Sequence, residues 1–135
     1  MANELILIVE DNPKNLKLVR DTLQVKGYHT IETETGEEEV QLARERRPAL
    51  ILMDIQLPGM NGIEVLRELR ADPATRAIPV IAVTASVMAQ DRQKIMAAGF
   101  DGFQGKPINV RELLATMRAI LERPRPPPPR ASLPL

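Results

Sequence analysis

The sequence contains no cysteine and no tryptophan, one histidine, one tyrosine and two phenylalanines. Without cysteine, a disulfide framework, a thiolate zinc site and thiol catalysis are excluded, and a reducing, cytoplasmic compartment is the expectation. Tyr28, Phe100 and Phe103 are too few aromatics for a base-stacking platform. No sign of charge dominates: 18 Lys+Arg balance 18 Asp+Glu, so nothing draws the chain generally toward nucleic acid or an anionic membrane. Long apolar runs are missing too. Leu5 to Val9 is strand length, far short of the roughly 20 residues a spanning helix needs, and Met1 to Glu4 lacks the basic start of a signal peptide. What remains is a chain of 135 residues, a size at which one domain buries an adequate core without staples.

Composition changes sharply at Pro124. Six of the twelve residues from there to Leu135 are proline, and the only charges are Arg125 and Arg130. The expected organisation is a folded unit over 1–123, slightly acidic once those two arginines are set aside, and a disordered, polyproline-like arm over 124–135.

Within 1–123 two periodicities alternate. Leu5-Ile6-Leu7-Ile8-Val9, Leu50-Ile51-Leu52-Met53 and Val80-Ile81-Ala82-Val83 are continuous apolar runs, the pattern of strands buried on both faces. Weaker strands are expected over 28–33 and 100–104. Helical stripes follow each strand: Leu16, Val19 and Leu23 in the first helix, Ile63, Leu66 and Leu69 in the third, Leu113, Met117, Ile120 and Leu121 in the fifth. The fourth helix is expected over 88–98. Asn12-Pro13, Thr35-Gly36-Glu37 and Asn109-Val110-Arg111-Glu112 are helix starts, and Gly27, Pro48, Asp72-Pro73 and Gly99 are stops. Five strand–helix units in strict alternation imply parallel pairing with right-handed crossovers. The expected fold is an α/β, doubly wound, five-stranded parallel sheet of order 2-1-3-4-5, flavodoxin-like (βα)5.

The residues that end the strands carry the chemistry. The first strand runs into Glu10-Asp11, the third into Asp54, the fourth into Thr84, and the fifth is followed by Lys106. All lie at the carboxyl edge of the sheet, where open α/β folds bind ligands at the reversal of strand order. Clustered carboxylates repel one another, and a hard divalent cation relieves the conflict. An all-oxygen donor set favours Mg²⁺ or Mn²⁺ over zinc. A carboxylate can accept a phosphoryl group, whose oxygens a Lys ammonium and a Thr hydroxyl would satisfy.

At these positions the sequence resembles the receiver domain of bacterial two-component response regulators, the CheY-like family. The matching segments are Ile8-Val9-Glu10-Asp11-Asn12, Met53-Asp54-Ile55-Gln56-Leu57-Pro58-Gly59-Met60-Asn61-Gly62, Val83-Thr84-Ala85 and Gly105-Lys106-Pro107. The likeness covers roughly residues 4–122, and in style it is nearest single-domain receivers of the DivK type. The resemblance implies that Asp54 is the phosphoacceptor. It implies that Glu10, Asp11 and Asp54 hold the metal with the backbone carbonyl of Gln56, and that Lys106 is the counter-ion. Thr84 and Phe103 would be the switch pair, the peptide before Pro107 would be cis, and Gln56 and Ser86 would occupy the positions that tune phosphoryl lifetime. Two departures are a Glu-Asp pair in place of Asp-Asp, which leaves Glu10 acting through water, and Phe103 in place of tyrosine.

The implied function is a phosphoacceptor switch rather than an enzyme in the ordinary sense. A histidine kinase would phosphorylate it, small donors would serve with Mg²⁺, and it would signal to a downstream protein target. The alternative is a relay passing the phosphoryl group to a histidine phosphotransfer protein. Twelve proline-rich residues cannot build an output domain, so protein–protein contact is the expected output. A monomer or weak dimer through the fourth helix, fifth strand and fifth helix is expected, with Asp91, Arg92, Lys94, Asp101, Arg111 and Arg118 exposed there. His29 reads as structural or exposed, Glu37-Glu38-Glu39 as a solvated helix start, and the methionines as filler or surface.

Overall fold

The computed structural model describes residues 3–57, 59, 61–85 and 88–123. The expected disordered arm over 124–135 and Ser86 lie outside the described residues. The order of elements is β1 (Leu5–Val9), α1 (Pro13–Val25), β2 (His29–Thr33), α2 (Gly36–Arg46), β3 (Leu50–Asp54), α3 (Gly62–Ala71), β4 (Val80–Thr84), α4 (Ala89–Ala97), β5 (Gly102–Gly105) and α5 (Val110–Leu121). The strands form one sheet in the order β2-β1-β3-β4-β5, with every pair parallel.

The apolar runs become the central strands because only there are both faces covered. β3 and β4 are buried at every position. One core layer packs Val19 and Leu23 of α1 with Leu113, Met117 and Ile120 of α5 against Ile6, Ile8, Leu50, Leu52 and Ile81. The opposite layer packs Ala43 of α2, Leu66 and Leu69 of α3 and Ile95 of α4 against Leu7, Val9, Ile51 and Met53. Burial of such side chains is worth about 2 kcal/mol each. Alternation along each strand therefore divides the helices between the two faces: α1 and α5 on one, α2, α3 and α4 on the other.

Four helices start on a capping side chain: Asn12, Thr35, Asn61 and Asn109 each accept backbone N–H groups of the first turn. Asn61, a turn residue by sequence, is thus a helix cap. Gly62 follows it because a Cβ there would come within 2.7 Å of Ile55. This packs the start of α3 against the loop that leaves Asp54.

Two expectations require correction. The fifth strand does not begin at Phe100. Gly99 turns the chain with a φ of 110°, Phe100 drops into the core, and the Asp101 carboxylate accepts the Val80 N–H at 2.8 Å. The ladder therefore starts at Gly102, paired with Ile81. Nor is Glu37-Glu38-Glu39 uniformly solvated. Glu39 is 0% exposed, because it sits one turn before the buried Ala43 on the core-facing stripe of α2. Neither of its carboxyl oxygens has a hydrogen-bond partner, and burial pushes its pKa up to about 8.

Candidate functional site

The carboxyl edge of the sheet brings the sequence-singled residues together. β1 and β3 are neighbours, with Val9 beside Met53, so the next residues of each strand project at one edge. Carboxylate oxygens of Glu10, Asp11 and Asp54 all lie within 4.8 Å of one another. Glu10 and Asp54 are each 4% exposed, whereas Asp11 is open to solvent. One cation enters the cluster from across the sheet: Lys106 Nζ lies 2.5 Å from Asp54 Oδ2 and 3.1 Å from Glu10 Oε1. Three carboxylates against one ammonium leave an all-oxygen site with residual negative charge, the donor chemistry of a hard divalent cation.

Backbone geometry places Lys106. Its N–H donates to the Thr84 carbonyl at 2.9 Å, continuing the β4–β5 ladder, in which Thr84 pairs with Gly105. The Lys106–Pro107 peptide is cis, as the resemblance implied. Thr84 is itself buried, at the end of β4, and Asp54 stands opposite Val83 in the β3–β4 register. The acid, the hydroxyl and the ammonium therefore occupy three adjacent strand ends.

Local bonds hold the carboxylates. The Asn12 N–H donates to Glu10 Oε2 at 3.1 Å, and the Gln56 N–H donates to Asp54 Oδ1 at 2.9 Å. Burial raises the Glu10 pKa and the nearby Asp54 charge adds to that, against the Asn12 N–H and Lys106. Burial works to lower the Lys106 pKa, but its hydrogen bonds and charge contacts with Asp54 and Glu10 outweigh this and raise it. The site thus keeps its ammonium protonated and makes the Glu10 carboxyl harder to ionise.

Phe103 is half-buried on β5, with the Arg92 guanidinium of α4 4.9 Å from its ring centroid. Sequence reading missed this contact. It also missed the side-chain bond from Gln56 to the loop after β4, since nothing local marks two loops that meet only in the fold. His29 is exposed, with its ring 3.0 Å from Asn3 Oδ1. Asp91 and Asp101, expected to be exposed, are half-buried, and the Asp101 carboxylate pairs with Arg70 at 2.8 Å and Arg123 at 3.1 Å. Met53 and Met117 are core residues, and Met88 and Met96 are exposed.

The model of the response regulator receiver domain matches residues 6–118. The chain belongs to the response regulator receiver family. As a receiver it is a phosphoacceptor switch domain. Among curated relatives, the polar-differentiation response regulator DivK of Brucella anthropi is 48% identical over 116 residues, covering 86% of this chain and 94% of its own. Among solved structures, the receiver domain of a sensor histidine kinase from Pseudomonas aeruginosa has a TM-score of 0.82 at 34% identity, covering 90% of this receiver and all (100%) of that chain. That structure has a magnesium ion coordinated in its active-site cleft. The chemotaxis regulator CheY4 of Vibrio cholerae has a TM-score of 0.81 at 27% identity, covering 88% of this receiver and 99% of that chain. Among the described residues, no helix is long and apolar enough to cross a membrane.

Proposed function

We propose that this receiver is phosphorylated on Asp54 by a partner histidine kinase and signals through a protein–protein interface. The observation that carries the reading is the Asp54 carboxylate, buried beside two further acids with the Lys106 ammonium 2.5 Å away. In the transfer, an Asp54 oxygen attacks the phosphorus of a phosphohistidine. The P–O bond forms as the P–N bond breaks, and the departing imidazole nitrogen takes up a proton. Lys106 neutralises charge on the phosphoryl oxygens and the Thr84 hydroxyl donates to one of them, each a charge-assisted bond. Glu10, Asp11, Asp54 and the Gln56 carbonyl would hold Mg²⁺, which supplies charge stabilisation to the transferring group when bound.

A relay role, handing the phosphoryl group on to a histidine phosphotransfer protein, is the second reading. Its support is the likeness to a receiver domain carried by a sensor histidine kinase. The output face we infer is α4, β5 and α5, joined to Thr84 and Lys106 through the β4–β5 ladder, with Arg92, Lys94, Arg111 and Arg118 exposed on it. Such a mixed polar face suits a modest, state-dependent contact.

Incubation with acetyl phosphate and Mg²⁺, followed by intact-mass measurement, tests the reading. One phosphoryl increment is expected in the wild type and none in Asp54→Asn. No increment in the wild type, or an undiminished one in the variant, refutes it.

A further inference from the structure

Gln56 bonds at both of its ends. Its backbone N–H donates to Asp54 Oδ1 at 2.9 Å, and its side-chain Oε1 accepts the backbone N–H of Ala85 at 2.7 Å. One residue thus ties the carboxylate at the end of β3 to the first residue after β4. Because Asp54 pairs with Val83, Ala85 lies only two positions further along the same edge. A phosphoryl group on Asp54 would bring three oxygens and nearly two negative charges to this edge, and each oxygen needs donors. The Lys106 ammonium, 2.5 Å from Asp54, would meet one of these oxygens, and the Ala85 N–H at the same edge, which Gln56 holds in this structure, would meet another.

We propose that the Gln56 carboxamide is a placeholder for the phosphoryl group: it holds the Ala85 N–H, and with it the connection from β4 to α4, in the unphosphorylated arrangement, and gives that N–H up when Asp54 is modified. This inference rests on Asp54 being the phosphoacceptor. Gln56 acts here as a positioning residue, through Ala85 rather than on the reacting atoms. Two acceptors compete for one donor, so each phosphorylation event must break the Gln56–Ala85 bond. Removing the side-chain acceptor removes that opposing term and favours the modified state. A neutral hydrogen bond changes an equilibrium by a factor of about 2 to 10, and the switch equilibrium moves only by such a difference between its states.

The test uses ¹⁵N-labelled full chain with Mg²⁺ and beryllofluoride as the phosphoryl analogue, in the wild type, Gln56→Met and Gln56→Glu. Methionine keeps the length and loses the acceptor; glutamate keeps an acceptor in the same place. Without analogue, the Ala85 amide proton is expected to move upfield and exchange faster in Gln56→Met, and to be restored in Gln56→Glu. The apparent affinity for beryllofluoride in Gln56→Met is expected to rise about 2- to 10-fold over the wild type. An Ala85 resonance that does not respond to Gln56→Met overturns the proposal, as does an affinity that is unchanged or weaker. Failure of the phosphoacceptor reading has a different signature: the wild type itself would show no amide response to the analogue, or Asp54→Asn would respond just as the wild type does.

Discussion

Glu39 makes the stability of this domain depend on pH up to and through neutrality. The carboxyl group is 0% exposed and neither oxygen has a partner. Burial is the sole cause of the rise in its pKa, from 4.5 to about 8. Charged residues of α3 near the start of α2, namely Glu64, Arg67 and Glu68, contribute nothing to the shift. Between these two pKa values the folded state keeps the Glu39 proton and the unfolded chain has lost it. The folded state binds one proton more, so stability falls as pH rises. The slope is about 1.4 kcal/mol per pH unit. Across the window from 4.5 to about 8, the loss sums to about 5 kcal/mol. The contribution is whole below the unfolded pKa, falls through the window and is fully lost above the folded one. The figure is an upper limit, because a small outward shift of α2 would let the carboxylate reach water.

The perturbations are Glu39→Met, of similar length and apolar, and Glu39→Gln, which cannot ionise but still buries an unpartnered polar group. Urea unfolding from pH 5 to 8.5, followed by far-UV circular dichroism because the chain has no tryptophan, gives the stability of each. The difference between Glu39→Met and wild type should grow by about 4 kcal/mol from pH 5 to pH 8, which is on the order of 15 °C in Tm. Titration of all other groups cancels in that difference. Glu39→Gln should flatten the pH dependence equally while remaining less stable than Glu39→Met by about 1–3 kcal/mol. Stability curves that run parallel in wild type and both variants across this window would refute the reasoning.

Two further outcomes follow from the site. Asp11→Ala should weaken Mg²⁺ binding by at least about tenfold, since a unit charge 4 Å from a divalent ion is worth about 2 kcal/mol even at the dielectric of water. Glu10→Ala should weaken it less, because the Glu10 carboxylate is already engaged by the Asn12 N–H and Lys106; calorimetric titration gives both values, and the reverse order contradicts this account. Thr84→Ala should still take up a phosphoryl group from acetyl phosphate but lose a bond worth roughly 1.5–3 kcal/mol in the switched state. Amide shifts along β4 and β5 on adding beryllofluoride should shrink in that variant, and identical shifts would show that Thr84 does not carry the signal.

What could be read from sequence and what could not separate along one line. Strands β1, β3 and β4 were legible because burial on both faces demands continuous apolar runs, and strict alternation with helices then leaves few topologies. The site followed, since strand ends in a parallel sheet share an edge: Glu10, Asp11, Asp54, Thr84 and Lys106 all arrived where the pattern put them. α2 was different. Its few apolar residues do not fix which side of the helix faces inward, and in Glu37-Glu38-Glu39 composition points outward for all three. Only the packing of Ala43 shows that Glu39 faces the core. Phe100 looked like a strand residue by type, but its place was decided by the Gly99 turn and by Asp101 capping the Val80 N–H. The Gln56–Ala85 and Arg92–Phe103 contacts join segments distant in sequence, and no local period encodes them.

Those long-range contacts bear on where movement is cheapest. α1, α2, α3 and α5 each begin on a side chain that bonds their first turn, whereas Met88 gives α4 no such cap. Among the described residues of α4 only Ile95 is buried, so this helix is held by few apolar contacts and is the one most easily displaced. Arg92 supplies part of what holds it, through a cation–π contact worth about 0.5–1 kcal/mol at an exposed site. Were Phe103 to move as the expected partner of Thr84 in a switch, it would have to give that contact up. Under the proposed function Arg92 would then bear on the switch as well as on the exposed surface, and replacing it should alter both the poise of Phe103 and any charge offered to a partner. Arg111 on α5, exposed and without such a ring contact among the described residues, reports on the surface alone. A partner that reads charge should respond to both positions, and one that reads the position of α4 should respond to Arg92 and not to Arg111.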